Sequence, residues 1–164
     1  MKTKQWILNA IIGALYTGIT LLIAPLGFGA VQFRLSEVLN HLAVFNKKYA
    51  IGVSAGVILT NLILSPFGVY DWVLGVGHTL LSFLVFFILT KYITSPVKKM
   101  IVNTIVFSVL SFLIALMLIL IGAEEVFWFT YLTVFLGQFI TMGLGIPLML
   151  YLDKKLNFNK QMEK

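Results

Sequence analysis

The chain contains no cysteine, a single arginine and only six carboxylates in 164 residues. Without cysteine it has neither disulfides nor thiolate metal sites. No carboxylate-rich motif for metal-assisted chemistry is present, and GxxxxGK[ST], HExxH and GxSxG are all missing. Nucleotide binding by a P-loop is thereby excluded, and no catalytic, cofactor or metal constellation is visible. Charge is scarce as well: 11% of residues are charged against 60% hydrophobic, with a mean hydropathy of +1.00. That balance is too apolar for a water-soluble globule and describes an integral membrane protein.

What is present is a series of six apolar runs, at about 6–24, 31–45, 49–64, 72–90, 101–121 and 127–151. Four of them reach the roughly 19–25 residues that cross about 30 Å as a helix. The first is span-length and has no convincing small-residue cleavage site, so it reads as a retained helix. If all six cross, the basic residues segregate: eleven of twelve, all lysines, fall on one side, which the positive-inside rule makes cytoplasmic. Glu37, Asp71, Glu124 and Glu125 fall toward the other. The expected fold is all-α, a single transmembrane domain over residues 1–164, with six helices in a compact bundle and both termini cytoplasmic. A net charge of +6 does not point to nucleic acid, because topology and attraction to anionic lipid account for the lysines.

The inner connections, 46–48 and 91–100, carry mostly lysine. The outer ones, 25–30, 65–71 and 122–126, carry or adjoin polar side chains suited to a ligand. A pocket opening outward follows. Glu124 and Glu125, in the last of these, read as solvated.

Function concentrates in Gln32-Phe33-Arg34-Leu35-Ser36-Glu37. A charge near mid-bilayer costs roughly 2.5–3.5 kcal/mol on insertion scales, so such residues face a protein-lined cavity. The uncharged run 38–45 gives only about 12 Å of helix, so the second span must begin near residues 30–32 and draw Arg34 and Glu37 below the membrane surface. On a 3.6-residue period Phe33, Glu37 and His41 share one stripe, Gln32, Ser36 and Asn40 the next, and Arg34 lies three residues before Glu37. Two readings follow: a self-neutralising Arg34–Glu37 pair, or a carboxylate at Glu37 accepting from a donor-rich ligand while Arg34 or Gln32 donates to a carbonyl and Phe33 offers a stacking face.

Other candidates are Asp71 and Trp72 at the start of the fourth span, as a cap and interfacial anchor or as an anionic partner with a stacking ring. Asn61 and Gln138 are amides that need partners in the membrane, either as interhelical contacts or as pocket wall. His41 and His78 are candidates for ligand contact or for packing. Ala10, Ala14 and Gly18 repeat every four residues on the first span, and Gly52-Val53-Ser54-Ala55-Gly56 is a small-residue stretch on the third. Both permit close helix approach, within the chain or, for the first span, toward another membrane subunit.

The run from Gln32 to Leu39, preceded by Ala24-Pro25-Leu26-Gly27-Phe28-Gly29, resembles the QueT family of queuosine-precursor transporters, substrate-binding (S) components of energy-coupling factor importers. Asn61, Asp71 and the Ala10/Ala14 spacing fit the same pattern. The resemblance implies a six-helix S component with its pocket near the outer face, and a deazaguanine-type substrate, 7-aminomethyl-7-deazaguanine or a close relative. It also implies a transmembrane coupling subunit, met through Ala10 and Ala14, and two ATPase subunits. Such a ligand presents guanine-type donors to Glu37 and an ammonium to Asp71 or another acid, and stacks on Phe33, Trp72, Trp128 or Tyr131. The alternatives are an S component for another vitamin-like molecule and a proton-coupled carrier using Glu37 and His78. A membrane enzyme comes last.

Overall fold

A computed structural model describes residues 1–23, 34–65 and 67–163. Within them lie seven helices: α1 (Thr3–Leu22), α2 (Leu35–Phe45), α3 (Tyr49–Leu64), α4 (Asp71–Leu89), α5 (Pro96–Leu120), α6 (Phe127–Leu156) and α7 (Phe158–Glu163). Helices α1, α4, α5 and α6 are long and apolar enough to cross a membrane, whereas α2 and α3 are shorter. Gln32, Phe33 and the first outer connection, 25–30, lie outside the described residues.

Local chemistry sets several boundaries. Ser95 caps α5 by accepting from the Lys98 amide, with Pro96 at the first helical position, where its missing N–H costs nothing. Helix α6 stops at Asn157, which takes a left-handed conformation (φ 51°), and Asp153 Oδ1 accepts from the Phe158 amide to start α7. Helix α7 then folds across one end of the bundle. Gln5 Nε2 donates to the Met162 carbonyl (2.6 Å), Tyr49 Oη to that of Phe158 (2.9 Å) and Asn46 Nδ2 to Asn159 Oδ1 (2.9 Å). Both chain ends therefore meet the α2–α3 connection at the same end.

The periphery is apolar and much of the interior is polar. Leu22, Leu144 and Trp128 are 82%, 70% and 74% exposed, while Glu37, Asp71, Asn40, His41 and Asn103 are buried. This distribution suits a protein surrounded by lipid, in which polar groups must find partners inside. Hydroxyls within the helices do so locally: Thr20, Thr90, Thr104 and Ser108 each donate to a carbonyl four residues back.

Helices α1 and α3 form the most extensive pair. At Gly52 a Cβ would lie 2.6–2.9 Å from Asn9, and at Gly56 it would lie 2.7 Å from Tyr16 Cβ and 3.0 Å from the Gly13 carbonyl. Any larger residue would separate the helices. Asn9 Oδ1 accepts from the Gly52 amide (2.8 Å), and Thr60 Oγ1 donates to Thr17 (3.1 Å) across the same seam. The small stretch on α3 thus packs within the chain. On α1, however, the packed face runs through Asn9, Gly13 and Tyr16, and Ala10, Ala14 and Gly18 are exposed.

Short and polar, α2 lies in the centre, against α1, α3, α5 and α6. Its first seven residues, Leu35–His41, wind as a 3₁₀-helix. This corrects the 3.6-residue register expected from the sequence. At three residues per turn side chains three apart eclipse, so Glu37 and Asn40 stand one above the other. Ser36, Glu37, Asn40 and His41 are all buried, because a helix enclosed by four others presents almost none of its circumference to lipid.

Candidate functional site

Glu37 is 1% exposed and its carboxylate collects donors from three helices. Tyr16 Oη on α1 donates to Oε1 (2.7 Å), and Asn40 Nδ2 on α2 and Gln138 Nε2 on α6 (3.2 Å) both donate to Oε2. Gln138 also contacts Met142 Sδ at 3.1 Å. Charge-assisted bonds of this kind are the strong ones in a medium of low dielectric. Beside it the Ser36 and Thr20 hydroxyls are hydrogen-bonded to each other (2.7 Å).

A second buried carboxylate, Asp71, opens α4. Ser65 Oγ donates to its Oδ2, Asn61 Nδ2 donates to its main-chain carbonyl (3.1 Å), and Trp72 Nε1 donates to the Asn61 carbonyl (3.2 Å). The first turn, Asp71–Gly75, is a π-helix, a wide turn often found at functional sites. Its closing residue must be small: a Cβ at Gly75 would lie 2.8 Å from Asp71 Oδ1 and 3.0 Å from Asn61 Nδ2.

Arg34 joins the two. It precedes α2 by one residue, and its guanidinium lies 4.0 Å from Asp71 Oδ1. The row of Glu37, Arg34 and Asp71 therefore holds two carboxylates and one guanidinium, all largely withdrawn from solvent. With both acids ionised the row carries one negative charge in excess. A lone excess charge is expensive away from water, so the arrangement suits a ligand that brings a cationic group and several hydrogen-bond donors.

Of the side chains singled out in the sequence, Arg34, Glu37, Asn61, Asp71, Trp72 and Gln138 belong to these two contact groups. The other described ones stand apart. His41 Nε2 bonds the Met142 carbonyl (3.0 Å) and its Nδ1 contacts Asn103 Nδ2 (3.3 Å), while His78 Nε2 bonds the Phe107 carbonyl (2.9 Å). Neither histidine is among the partners of Glu37 in the described residues. Trp128 faces outward on α6, and Tyr131 beside it donates to the Val109 carbonyl (3.0 Å). Of Trp72, Trp128 and Tyr131, Trp72 is the one whose indole nitrogen bonds a residue of these groups, at the Asn61 carbonyl, and it is 45% exposed. Among the described residues no group of three or more His, Asp or Glu side chains is placed to hold a metal ion.

Sequence reasoning missed Tyr16 and Ser65 and did not connect Asn40 to the acid. Charged and amide residues drew attention, whereas a tyrosine inside an apolar span looks like packing. The available signal was its hydroxyl, which cannot stay unpaired in a membrane interior.

The family model described as QueT transporter matches residues 6–154. A curated protein of Lactococcus lactis subsp. cremoris (strain MG1363), the queuosine precursor transporter QueT, is 33% identical over 169 aligned residues, covering 97% of this chain and 98% of that protein. No solved structure matches the chain.

Proposed function

Because the chain belongs to the QueT transporter family, whose members are transporters and not enzymes, we propose that it captures a queuosine precursor, 7-aminomethyl-7-deazaguanine or a close relative. In this reading Glu37 accepts from the guanine-type edge of the base. Asp71 receives the ammonium, and Trp72 supplies the stacking face. Gln32 and Phe33, next to Arg34 in the sequence, are assigned as further ligand contacts. The observation that carries the reading is the buried row of two carboxylates against one guanidinium, which lacks the one positive charge that such a ligand brings. Gln138, Asn40 and Tyr16 hold Glu37 in place from three sides until the ligand competes for its lone pairs.

The chain acts as the substrate-binding component of an energy-coupling factor importer in the cytoplasmic membrane, with six spans and both termini inside. The lysine-bearing connections and the meeting of both chain ends at one end of the bundle support that topology. A transmembrane coupling subunit docks on the exposed Ala10, Ala14 and Gly18 face of α1, and two ATPase subunits supply the energy. Packing of α1 against α3 through Gly13 leaves that face uncovered, which supports the docking.

The test is a titration of the purified chain with 7-aminomethyl-7-deazaguanine and with guanine. Saturable binding that favours the aminomethyl compound, and is lost in Glu37→Ala, is the expected result. Equal binding of both bases would remove the ammonium from the argument; no binding by a folded sample would remove the substrate.

A further inference from the structure

At the end of the bundle where α2, α4 and α5 begin or stop, a cavity of about 410 Å³ is lined by Lys47, Lys91 and Lys99 together with Asn46 and Thr90. The three lysines come from three different connections or helix ends, yet they converge on one space. Among the described residues no carboxylate lies within ion-pairing distance of any of them. The deeper wall is aromatic, formed by Phe45, Phe86 and Phe87.

Phe87 also closes one end of a second depression, an open groove of about 510 Å³ between α3 and α4. Small side chains of α3, Ala50, Ser54 and Ala55, make one side, and Leu80, Phe83 and Leu84 of α4 make the other. The helices are antiparallel here, so the groove runs from the lysine cavity toward the middle of the bundle. It lies away from the Glu37–Arg34–Asp71 row and shares no lining residue with the Ala10, Ala14 and Gly18 face apart from Ile51 and Ala55 at its back.

We propose that cavity and groove together bind one anionic phospholipid, its phosphate and headgroup among Lys47, Lys91 and Lys99 and one acyl chain along α3 and α4. Three ammonium groups without carboxylates are complementary to a phosphate and to an anionic headgroup, and basic pockets between membrane helices take such headgroups. A free phosphate would fill only the polar end. The apolar groove that continues past Phe87 favours a molecule that carries a tail, and its carbon lining offers that tail dispersion contacts and no competing polar group. The inference holds whichever leaflet the lysines face, since both contain phospholipid.

Native mass spectrometry of the full-length chain in detergent tests it, with phosphatidylglycerol and phosphatidylcholine of identical acyl chains and, separately, glycerol 3-phosphate. Phosphatidylglycerol should be retained about tenfold or more over phosphatidylcholine, as three nearby lysines would give. The variant Lys47→Gln/Lys91→Gln/Lys99→Gln should bring the ratio close to one, whereas Lys154→Gln/Lys155→Gln/Lys160→Gln, which removes the same charge elsewhere, should leave it unchanged. Ser54→Trp, or Ser54→Leu where the tryptophan prevents folding, should weaken retention of both lipids. The proposal is overturned if both triple variants lower the ratio equally, if the first leaves it unaltered, or if glycerol 3-phosphate binds as tightly as the lipid and the groove variants have no effect.

Discussion

Replacing Glu37 by glutamine removes a charge and alters one atom's bonding while leaving shape and volume nearly unchanged. Its internal consequences can be traced atom by atom. Oε1, which accepts from Tyr16 Oη at 2.7 Å, can remain an oxygen. The new NH₂ then faces two donors, Asn40 Nδ2 and Gln138 Nε2, which now meet Oε2. Both amides can turn to present oxygen instead. For Asn40 the turn is cheap, because its Oδ1 has no hydrogen-bond partner. For Gln138 it gives up the Met142 Sδ contact. The cost to the fold is therefore small, about 1 kcal/mol, the net worth of an ordinary hydrogen bond. The ligand has no such freedom. It loses a charged acceptor, and a hydrogen bond to a charged group is worth about 1.5–3 kcal/mol, which is about ten- to hundredfold in Kd. Isothermal titration of folded Glu37→Gln with 7-aminomethyl-7-deazaguanine, beside a thermal melt of the same sample, measures both. Binding within twofold of the unaltered chain at an unaltered melting temperature would refute the assignment of Glu37 as the ligand's acceptor. Weak binding with a collapsed melting temperature would refute the account of the amide turn.

Arg34→Gln should destabilise the fold by about 3–5 kcal/mol, the cost of leaving a buried acid without its partner, and Asp71→Asn in the same chain should recover most of it in a double-mutant cycle read by denaturation. Gly52→Ala should cost about 1–3 kcal/mol by pushing α1 from α3, whereas Gly143→Ala, whose Cβ meets nothing within 4 Å, should leave the melting temperature unchanged. Because the chain has no cysteine, single cysteines at Asn46, Ser95 and Glu125 report topology cleanly. An impermeant thiol reagent added to intact cells should label Glu125→Cys and spare the other two. Ala10→Trp/Ala14→Trp should leave binding by the isolated chain unchanged and abolish uptake in cells that carry the energising subunits; loss of binding instead would mean that this face belongs to the fold.

Membrane class, the positions of the long helices and the interior place of Arg34 and Glu37 are properties of short windows of sequence, and they were legible there. The fourth apolar run, 72–90, is found as α4 at Asp71–Leu89, and the last, 127–151, as α6 at Phe127–Leu156, because the free energy of leaving water is summed along a contiguous stretch. That Glu37, Asp71 and Arg34 turn inward follows from the same accounting, since lipid tolerates none of them. Which groups meet them is not a window property. Tyr16 and Gln138 lie 21 and 101 residues from Glu37, and only the packing of α1 and α6 around α2 brings their donors to one carboxylate. Tertiary structure likewise carried Arg34 across to Asp71, tightened α2 to three residues per turn so that Asn40 eclipses Glu37, and engaged both histidines with main-chain carbonyls. It also selected Gly13, not Ala10, Ala14 or Gly18, as the seam of α1. Each small residue permits close approach, but the seam goes to the face whose neighbouring polar groups, Asn9 and Thr17, find partners on α3.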